Sequence, residues 1–198
     1  GPLEMVKPWN TKGVEGVYRF LGRVWRLFVD EQSETEFEQT LTTTEARRHE
    51  ELLDLIKPNP AIQDVEPSAA QLKALHACIK KVTEDLDGLR FNTAISAMMI
   101  FVNEAMTWEI KPVAALRTFL ILLQPFSPHL AEELWGKLES AQISALKSRI
   151  PLAYQPWPKF DPTSLVDKEI EIPVQVDGKF RNRIHVPIDA TKQIYIET

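Results

Sequence analysis

Hydrophobic residues recur with helical spacing in GVEGVYRFLGRVWRLF, residues 13–28, where the patterned part of the chain begins. At 100° per residue, six apolar side chains fall within roughly a third of the helix circumference. We expect this face to be buried, and it consists of Val14, Val17, Leu21, Val24, Trp25 and Phe28. A basic ridge occupies roughly a sixth of the circumference on the opposite side, and it comprises Lys12, Arg19, Arg23 and Arg26.

The pattern alone leaves two interpretations of the basic ridge open. It is either a solvated charged face, on which Glu15 pairs with Arg19 at i,i+4, or a surface that binds phosphate groups. The formal net charge of the 198-residue chain is -5. Binding of a nucleic acid therefore requires a local cationic patch, because the chain as a whole is acidic.

Residues 31–67 lack a clear period and are rich in acidic residues and threonine, so we interpret them as a long irregular connection. Within it, residues 44–56 have enough leucine and isoleucine for a short helix that the KPNP sequence would end. Ser68 and Gln71 then form a capping-box pattern at the start of a strong bundle helix. Its apolar seam recurs at spacings of three and four and comprises Leu72, Leu75, Ile79, Val82, Leu86 and Leu89.

Three further helices are predicted before residue 140. Asn92 is a candidate N-cap for a helix with buried positions Ile95, Met98, Met99, Val102 and Met106. Pro112 fits the first turn of the next helix, whose apolar positions are Val113, Leu116, Phe119, Leu120 and Leu123. Ser127 and Pro128 fit the N-cap and first position of the last helix, which turns Leu130, Leu134 and Leu138 inward. Short links between these segments predict an antiparallel helical bundle.

The pattern changes to strict alternation in EIEIPVQV and KFRNRIHV, which flank an Asp-Gly turn, so residues 169–186 predict a β-hairpin. A three-residue loop with a bulge at Gly178 pairs Val174 with Phe180 and Ile170 with Ile184, and we expect this register. The hairpin also offers a second candidate cationic patch on one face: Lys179, Arg181 and Arg183. These residues either contact phosphates or are edge-strand charges that prevent aggregation.

The predicted fold class is therefore mainly α. A helical bundle should occupy residues 1–158, and residues 159–198 should begin a small C-terminal α+β domain.

Catalytic and metal-binding patterns are not evident in the sequence. The four histidines are widely scattered, and Glu132 and Glu133, being adjacent, point in different directions on a helix. A single cysteine, Cys78, excludes an internal disulfide and a cysteine-based zinc site, and it suggests a reducing compartment. We expect Cys78 to be a packed thiol beside the helix seam. No apolar run is long enough to span a bilayer, and no signal-peptide pattern begins the sequence, so we expect a non-secreted, soluble protein.

Four blocks give the sequence a family resemblance: GVEGVYRFLGRVWRL, RFNTAISAMM, PFSPHLAEELW and IPVQVDGKFRNRI. In this order and spacing they resemble bacterial-type and organellar leucyl-tRNA synthetases, which are class I aminoacyl-tRNA synthetases. The resemblance covers nearly the whole chain. It implies a helical anticodon-stem-binding bundle followed by the start of a C-terminal domain, in a bacterial cytoplasm or a plastid or mitochondrial matrix.

The resemblance also implies that the chain binds tRNA(Leu) and works with a catalytic domain that it does not itself contain. The HIGH and KMSKS signatures of that domain are absent from these residues, so we do not expect the chain alone to aminoacylate. ATP and Mg²⁺ are implied for the catalytic domain only, and no cofactor or metal is implied for this chain.

In the family, the first bundle helix lies along the tRNA, which favours the phosphate-binding interpretation of Lys12, Arg19, Arg23 and Arg26. Because leucine tRNAs differ in anticodon, these residues are expected to position the tRNA backbone without reading the anticodon. The alternative is a stand-alone adaptor descended from a synthetase that binds a structured RNA or a protein.

Overall fold

The structure is a computed structural model that describes residues 12–43, 55–140, 150–166, 169–176 and 179–187. These residues contain six α-helices: α1 (Lys12–Phe28), α2 (Glu31–Thr43), α3 (Ala69–Asp87), α4 (Phe91–Thr107), α5 (Val113–Leu123) and α6 (Pro128–Ser140). The pairs α3–α4 and α5–α6 form helical hairpins. Two short 3-10 helices follow, η1 (Leu152–Tyr154) and η2 (Pro162–Leu165). The strands are β1 (Ile62–Gln63), β2 (Lys111–Pro112), β3 (Glu169–Val176) and β4 (Lys179–Pro187). The predicted fold class, mainly α with a small hairpin, is confirmed.

The chain divides into two compact units, Gly1–Phe160 and Asp161–Thr198. The first holds the helices and one continuous hydrophobic core. An aromatic cluster joins three helices at its centre, because the ring of Phe119 on α5 stacks on Phe101 of α4 at 5.0 Å and on Phe28 of α1 at 6.5 Å. None of the helices in the described part of the chain is long and apolar enough to cross a membrane.

The hairpin of α3 and α4 agrees with the pattern that predicts it in most positions. Ser68 caps α3, and its hydroxyl and the Gln71 side chain complete the expected capping box. The helix α4 begins at Phe91, one residue before the predicted N-cap Asn92, and Arg90 occupies the cap position. Leu89 has a φ of 53° and is exposed, so it does not extend the seam. This left-handed residue turns the chain between the helices and directs its own side chain outward.

Residues 31–43 correct the predicted irregular connection, because they form the helix α2. Local hydrogen bonds explain how a weakly patterned sequence becomes helical here. The Asp30 carboxylate accepts from the Gln32 backbone N–H at 3.3 Å, and the Ser33 hydroxyl donates to the Asp30 carbonyl at 2.8 Å. Ser33 is buried and also accepts from the backbone N–H of Lys57 at 2.9 Å, which ties α2 to the returning chain. Most of the short helix expected over residues 44–56 lies outside the described residues.

The buried side of α1 also differs from the prediction. Its fully packed residues are Phe20, Val24, Leu27 and Phe28, whereas Val14 and Val17 are 54% and 43% exposed. At 100° per residue, the buried face is rotated by about 65° from the predicted apolar strip. The neighbouring helices cover only one flank of the predicted strip, together with Phe20 and Leu27, which the prediction did not include. Met106, expected in the core from α4, is likewise exposed, and alanines such as Ala94 and Ala105 occupy the close contacts instead.

The predicted hairpin is confirmed as β3 and β4, but the predicted register is wrong. Val176 pairs with Lys179 and Gln175 with Phe180, and the pairing then shifts by one residue at a bulge. Beyond the bulge, Ile172 pairs with Ile184 and Ile170 with Val186. The extra residue in β4 is Arg181, so the bulge lies inside the strand and not at Gly178. The bulge allows Ile172 to pair with Ile184; without the one-residue shift, Ile172 would pair with Arg183.

Candidate nucleic-acid interface

The basic ridge is a surface of α1. Arg19, Arg23 and Arg26 are all exposed. Lys12 is the first residue of the helix, and its side chain lies outside the described part of the chain. About one helical turn separates successive arginines, so their guanidinium groups form a row along the axis. This spacing suits contacts with successive phosphates of a nucleic-acid backbone.

The contacts of Arg19 and Arg23 leave their charge available to a ligand. Arg19 lies 3.6 Å from Glu15, and the two side chains are 65% and 69% exposed. An exposed pair of this kind contributes little free energy and is readily exchanged for another anion. Arg23 donates a hydrogen bond to the neutral amide oxygen of Asn103 on α4. This contact orients the guanidinium without neutralising it.

Arg26 lies at the rim of a surface cavity of about 300 Å³ where α1, α2 and the end of α4 meet. Asp30 and Glu31 also line this cavity, so Arg26 is in a more mixed electrostatic environment than the other two arginines. Lys111 lines its floor and is buried, and its ammonium group donates to the Trp108 carbonyl at 2.6 Å. Burial lowers the pKa of Lys111 because the charged form loses solvation.

The sequence pattern suggested that the ridge lies directly opposite the core, but the structure places it elsewhere. At 100° per residue, the centre of the ridge is about 115° from the centre of the buried face formed by Phe20 and its neighbours. This places the arginines on the flank of α1 that adjoins α4, in agreement with the contact between Arg23 and Asn103. The residues opposite the arginines are apolar, and at the N-terminal end of the helix they are exposed.

Trp25 fixes the rotation of α1 about its axis. Its ring is half-buried against the core, and its indole N–H donates to the Glu34 carboxylate of α2 at 2.9 Å. This position agrees with the expectation that Trp25 belongs to the inward-facing side of the helix. With Trp25 held on one side and the core on another, the ridge remains turned outward.

The second candidate patch does not form one face of the hairpin. The register pairs Lys179 with Val176 and Arg183 with Pro173, and these two positions on β3 have opposite parity. Lys179 and Arg183 therefore occupy positions on opposite faces, because the bulge at Arg181 reverses the alternation between them. Arg181 is exposed, and the side chains of Lys179 and Arg183 lie outside the described residues. The proposed role of these three residues in RNA contact stays a prediction.

Two polar features of the bundle are not evident from the sequence pattern. The first is a buried carboxylate, Asp85, which accepts hydrogen bonds from Lys81 at 2.8 Å and from Arg90 at 2.9 Å. The Lys81 hydrogen bond is the main reason that the pKa of Asp85 falls from 3.8 to about 2, although burial opposes the change. Asp85 lies on the buried side of α3. The sequence signal that could have predicted this buried ion pair is an aspartate on the apolar side of a helix with a lysine four residues earlier.

The second feature is a carboxylate clamp at Glu132 of α6. Its two oxygens accept from the backbone N–H groups of Leu152 at 3.2 Å and Ala153 at 3.0 Å. These are unpaired donors at the start of η1, and Leu152 enters the core. Glu132 thus has a positioning role and not an acid–base role. Within the described residues, no group of three histidine, cysteine, aspartate or glutamate side chains is arranged to hold a metal ion.

Most of the chain is similar in sequence to a known protein family. Residues 70–196 match the family model described as the anticodon-binding domain of tRNA ligase. The chain belongs to that family. The matched anticodon-binding segment begins at the second residue of α3 and extends past β4, so it includes the bundle hairpins and the C-terminal strands. The basic ridge on α1 precedes the matched segment.

The curated relatives match a longer part of the chain, which includes α1. A leucine–tRNA ligase from Leptospira biflexa is 43% identical over 187 residues, which are 94% of this chain and 18% of that protein. A leucine–tRNA ligase from Chlorobaculum tepidum is 41% identical over all 198 residues, 21% of its length. The chain therefore spans about a fifth of the curated relatives it matches. The resemblance to leucyl-tRNA synthetases is confirmed.

A solved structure shares the fold of this anticodon-binding region. It is the LeuRS–tRNA–LeuAMS ternary complex from Agrobacterium radiobacter K84, which matches with 27% identity and a TM-score of 0.55. The match covers 96% of this chain and 22% of that one.

Proposed function

We propose that this chain is the tRNA-binding region of a leucyl-tRNA synthetase, which holds tRNA(Leu) by its anticodon stem while a catalytic domain elsewhere in the polypeptide leucylates the acceptor end. The observation that carries the proposal is the row of exposed guanidinium groups at Arg19, Arg23 and Arg26 in a chain of the anticodon-binding family. The similar chain in the LeuRS–tRNA–LeuAMS complex supports tRNA as the ligand.

The chemistry of the ridge supports backbone contact in preference to base readout. Guanidinium groups bind phosphate oxygens with paired, charge-assisted hydrogen bonds, and a row of them fits successive phosphates of an RNA strand. Among the described residues of α1, the ridge face carries no aromatic side chain that could stack on a base. Trp25 lies on another side of the helix, where it donates to Glu34. Contact of this kind positions tRNA by shape and charge, so a tRNA(Leu) with a changed anticodon should bind with the same affinity.

The test is a titration of fluorescent tRNA(Leu) with the protein at several salt concentrations, followed by fluorescence anisotropy. Replacement of Arg19, Arg23 and Arg26 together by glutamine should reduce the slope of log affinity against log salt by about two to three, since each phosphate contact releases counterions. The ridge variant should also bind more weakly at low salt.

A charge-matched control separates local contact from net charge. Replacement of Lys57, Lys73 and Lys159 by glutamine removes the same number of charges from exposed positions outside α1. This control should change the slope by less than about one, because it alters bulk attraction only. Equal slopes for the wild type and the ridge variant would reject the ridge as the tRNA contact.

A further inference from the structure

The side of α1 opposite the arginines is apolar and partly uncovered. Val14, Val17 and Tyr18 are 54%, 43% and 76% exposed. At 100° per residue, these three form a strip about 160° from the centre of the basic ridge. We call them the uncovered strip. A cluster of large apolar side chains at this exposure is typical of a surface that another molecule or domain covers.

The uncovered strip continues an interface that is already formed. Farther along the same side of α1, Leu21 packs against the core and Trp25 bonds to Glu34 of α2. The side of the helix is thus covered at its C-terminal end and open at its N-terminal end.

The electrostatics of the strip favour a protein occupant over RNA. Its three residues carry no charge, and the arginines that attract a polyanion are on the far side of the helix. A tRNA bound along the ridge leaves the strip facing away from the ligand. Burial of valine and tyrosine side chains is a contact that proteins make with one another, through removal of apolar surface from water.

We propose that the uncovered strip is the surface on which the remainder of a leucyl-tRNA synthetase polypeptide docks against this region. This inference rests on the proposed function. The relatives are about five times as long as this chain, so most of such a polypeptide lies outside it. With Arg19 and its neighbours on tRNA and Val14, Val17 and Tyr18 on protein, α1 joins the two and fixes the tRNA relative to the catalytic domain.

Hydrogen–deuterium exchange tests the docking. The amides of residues 13–21 are measured in the 198-residue protein and in a complete synthetase polypeptide that contains it. Covering the strip should slow their exchange in the complete polypeptide on the order of tenfold, because local opening then exposes the buried side chains. Equal exchange in the two proteins would overturn the inference. Protection already present in the 198-residue protein would assign the cover to its own residues and would also overturn it.

Variants identify the side chains. Replacement of Val14 and Val17 by serine, which has a similar helix propensity, should remove most of the added protection in the complete polypeptide and leave the 198-residue protein unchanged. The matched control is Ile100→Ser, because Ile100 is 69% exposed on α4. This control should leave exchange at residues 13–21 unaffected in both proteins. If the double variant keeps the full protection, the strip is not the docking surface.

Two further measurements exclude other occupants. A second copy on the strip would make the 198-residue protein dimeric in sedimentation, with the serine variant monomeric. RNA on the strip would make the serine variant bind tRNA more weakly than the wild type does. Either result would overturn the inference. The salt slope of tRNA binding should be the same for the serine variant and the wild type. Failure of the docking is therefore distinguishable from failure of the ridge, which the slope of the arginine variant reports.

Discussion

Acidification should weaken the α3–α4 hairpin through one group, Asp85. Its carboxylate is fully buried and bonded to Lys81 and Arg90, and its pKa is about 2 compared with 3.8 for an ordinary aspartate. Because the folded-state pKa is the lower one, the unfolded chain takes up the proton first as the pH falls. The stabilisation is therefore complete above about pH 4 and is lost as the pH falls towards 2.

The size of the effect follows from the pKa difference. The shift corresponds to roughly 2 kcal/mol, since one pKa unit is 1.36 kcal/mol. Lys81 and Arg90 are about half exposed, so solvent screening reduces the expected contribution to about 1 to 2 kcal/mol. Asp85→Asn keeps the shape of the side chain and removes the charge. The variant should be less stable than the wild type by this amount near neutral pH, and the difference should shrink as the pH falls from about 4 through 2.

Urea unfolding between pH 6 and pH 2.5, followed by circular dichroism, measures the difference directly. Other carboxylates titrate in the same range, but they do so in both proteins and cancel in the difference. Asp87→Asn is the matched control, because Asp87 is an exposed aspartate on the same helix. Its stability should run parallel to that of the wild type. A constant difference between the wild type and Asp85→Asn across this range would refute the assignment of the stabilisation to the Asp85 charge.

Three other experiments test the structure. Glu132→Gln replaces one of the two acceptor oxygens that hold the start of η1, and it should lower the free energy of unfolding by about 1 kcal/mol in the same urea assay; no loss would show that the clamp is dispensable. Gly22→Ala and Gly136→Ala add methyl groups where no heavy atom lies within 4 Å, so each should raise stability by about 0.5 to 1 kcal/mol, and a decrease would indicate an unseen close contact. Burial raises the pKa of the Cys78 thiol to about 12, so a thiol reagent at pH 8 should label it only after unfolding; rapid labelling of the native protein would place the thiol at the surface.

The helices were predictable where local signals and tertiary packing agree. The Ser68–Gln71 capping box and the Leu75, Ile79 and Val82 seam encode both the start and the buried side of α3, so sequence and structure coincide there. The helix α2 was not predictable, since its stabilising partner, the Lys57 backbone, returns from 24 residues away. Periodicity does not report such non-local hydrogen bonds.

The candidate site was predictable in its composition and less so in its orientation. Helical spacing placed Arg19, Arg23 and Arg26 in one row, and the structure keeps them exposed. Helical spacing did not reveal that Val14 and Val17 on the other side stay exposed. The spacing of apolar residues does not show whether a neighbouring element covers them. On the hairpin, the prediction assumed that residues alternate between faces without interruption within β4. One extra residue in β4 places Lys179 and Arg183 at positions on opposite faces.

The bulge at Arg181 makes the hairpin tolerant of length changes near its tip. The pairs Ile172–Ile184 and Ile170–Val186 are set by the outer part of the ladder, and the one-residue offset is taken up before they begin. Deletion of Arg181 together with insertion of one residue in the connecting turn would therefore preserve these isoleucine pairs. In a hairpin of this design, a strand bulge can be exchanged for a longer turn, which varies the residues near the tip without unpairing the stem.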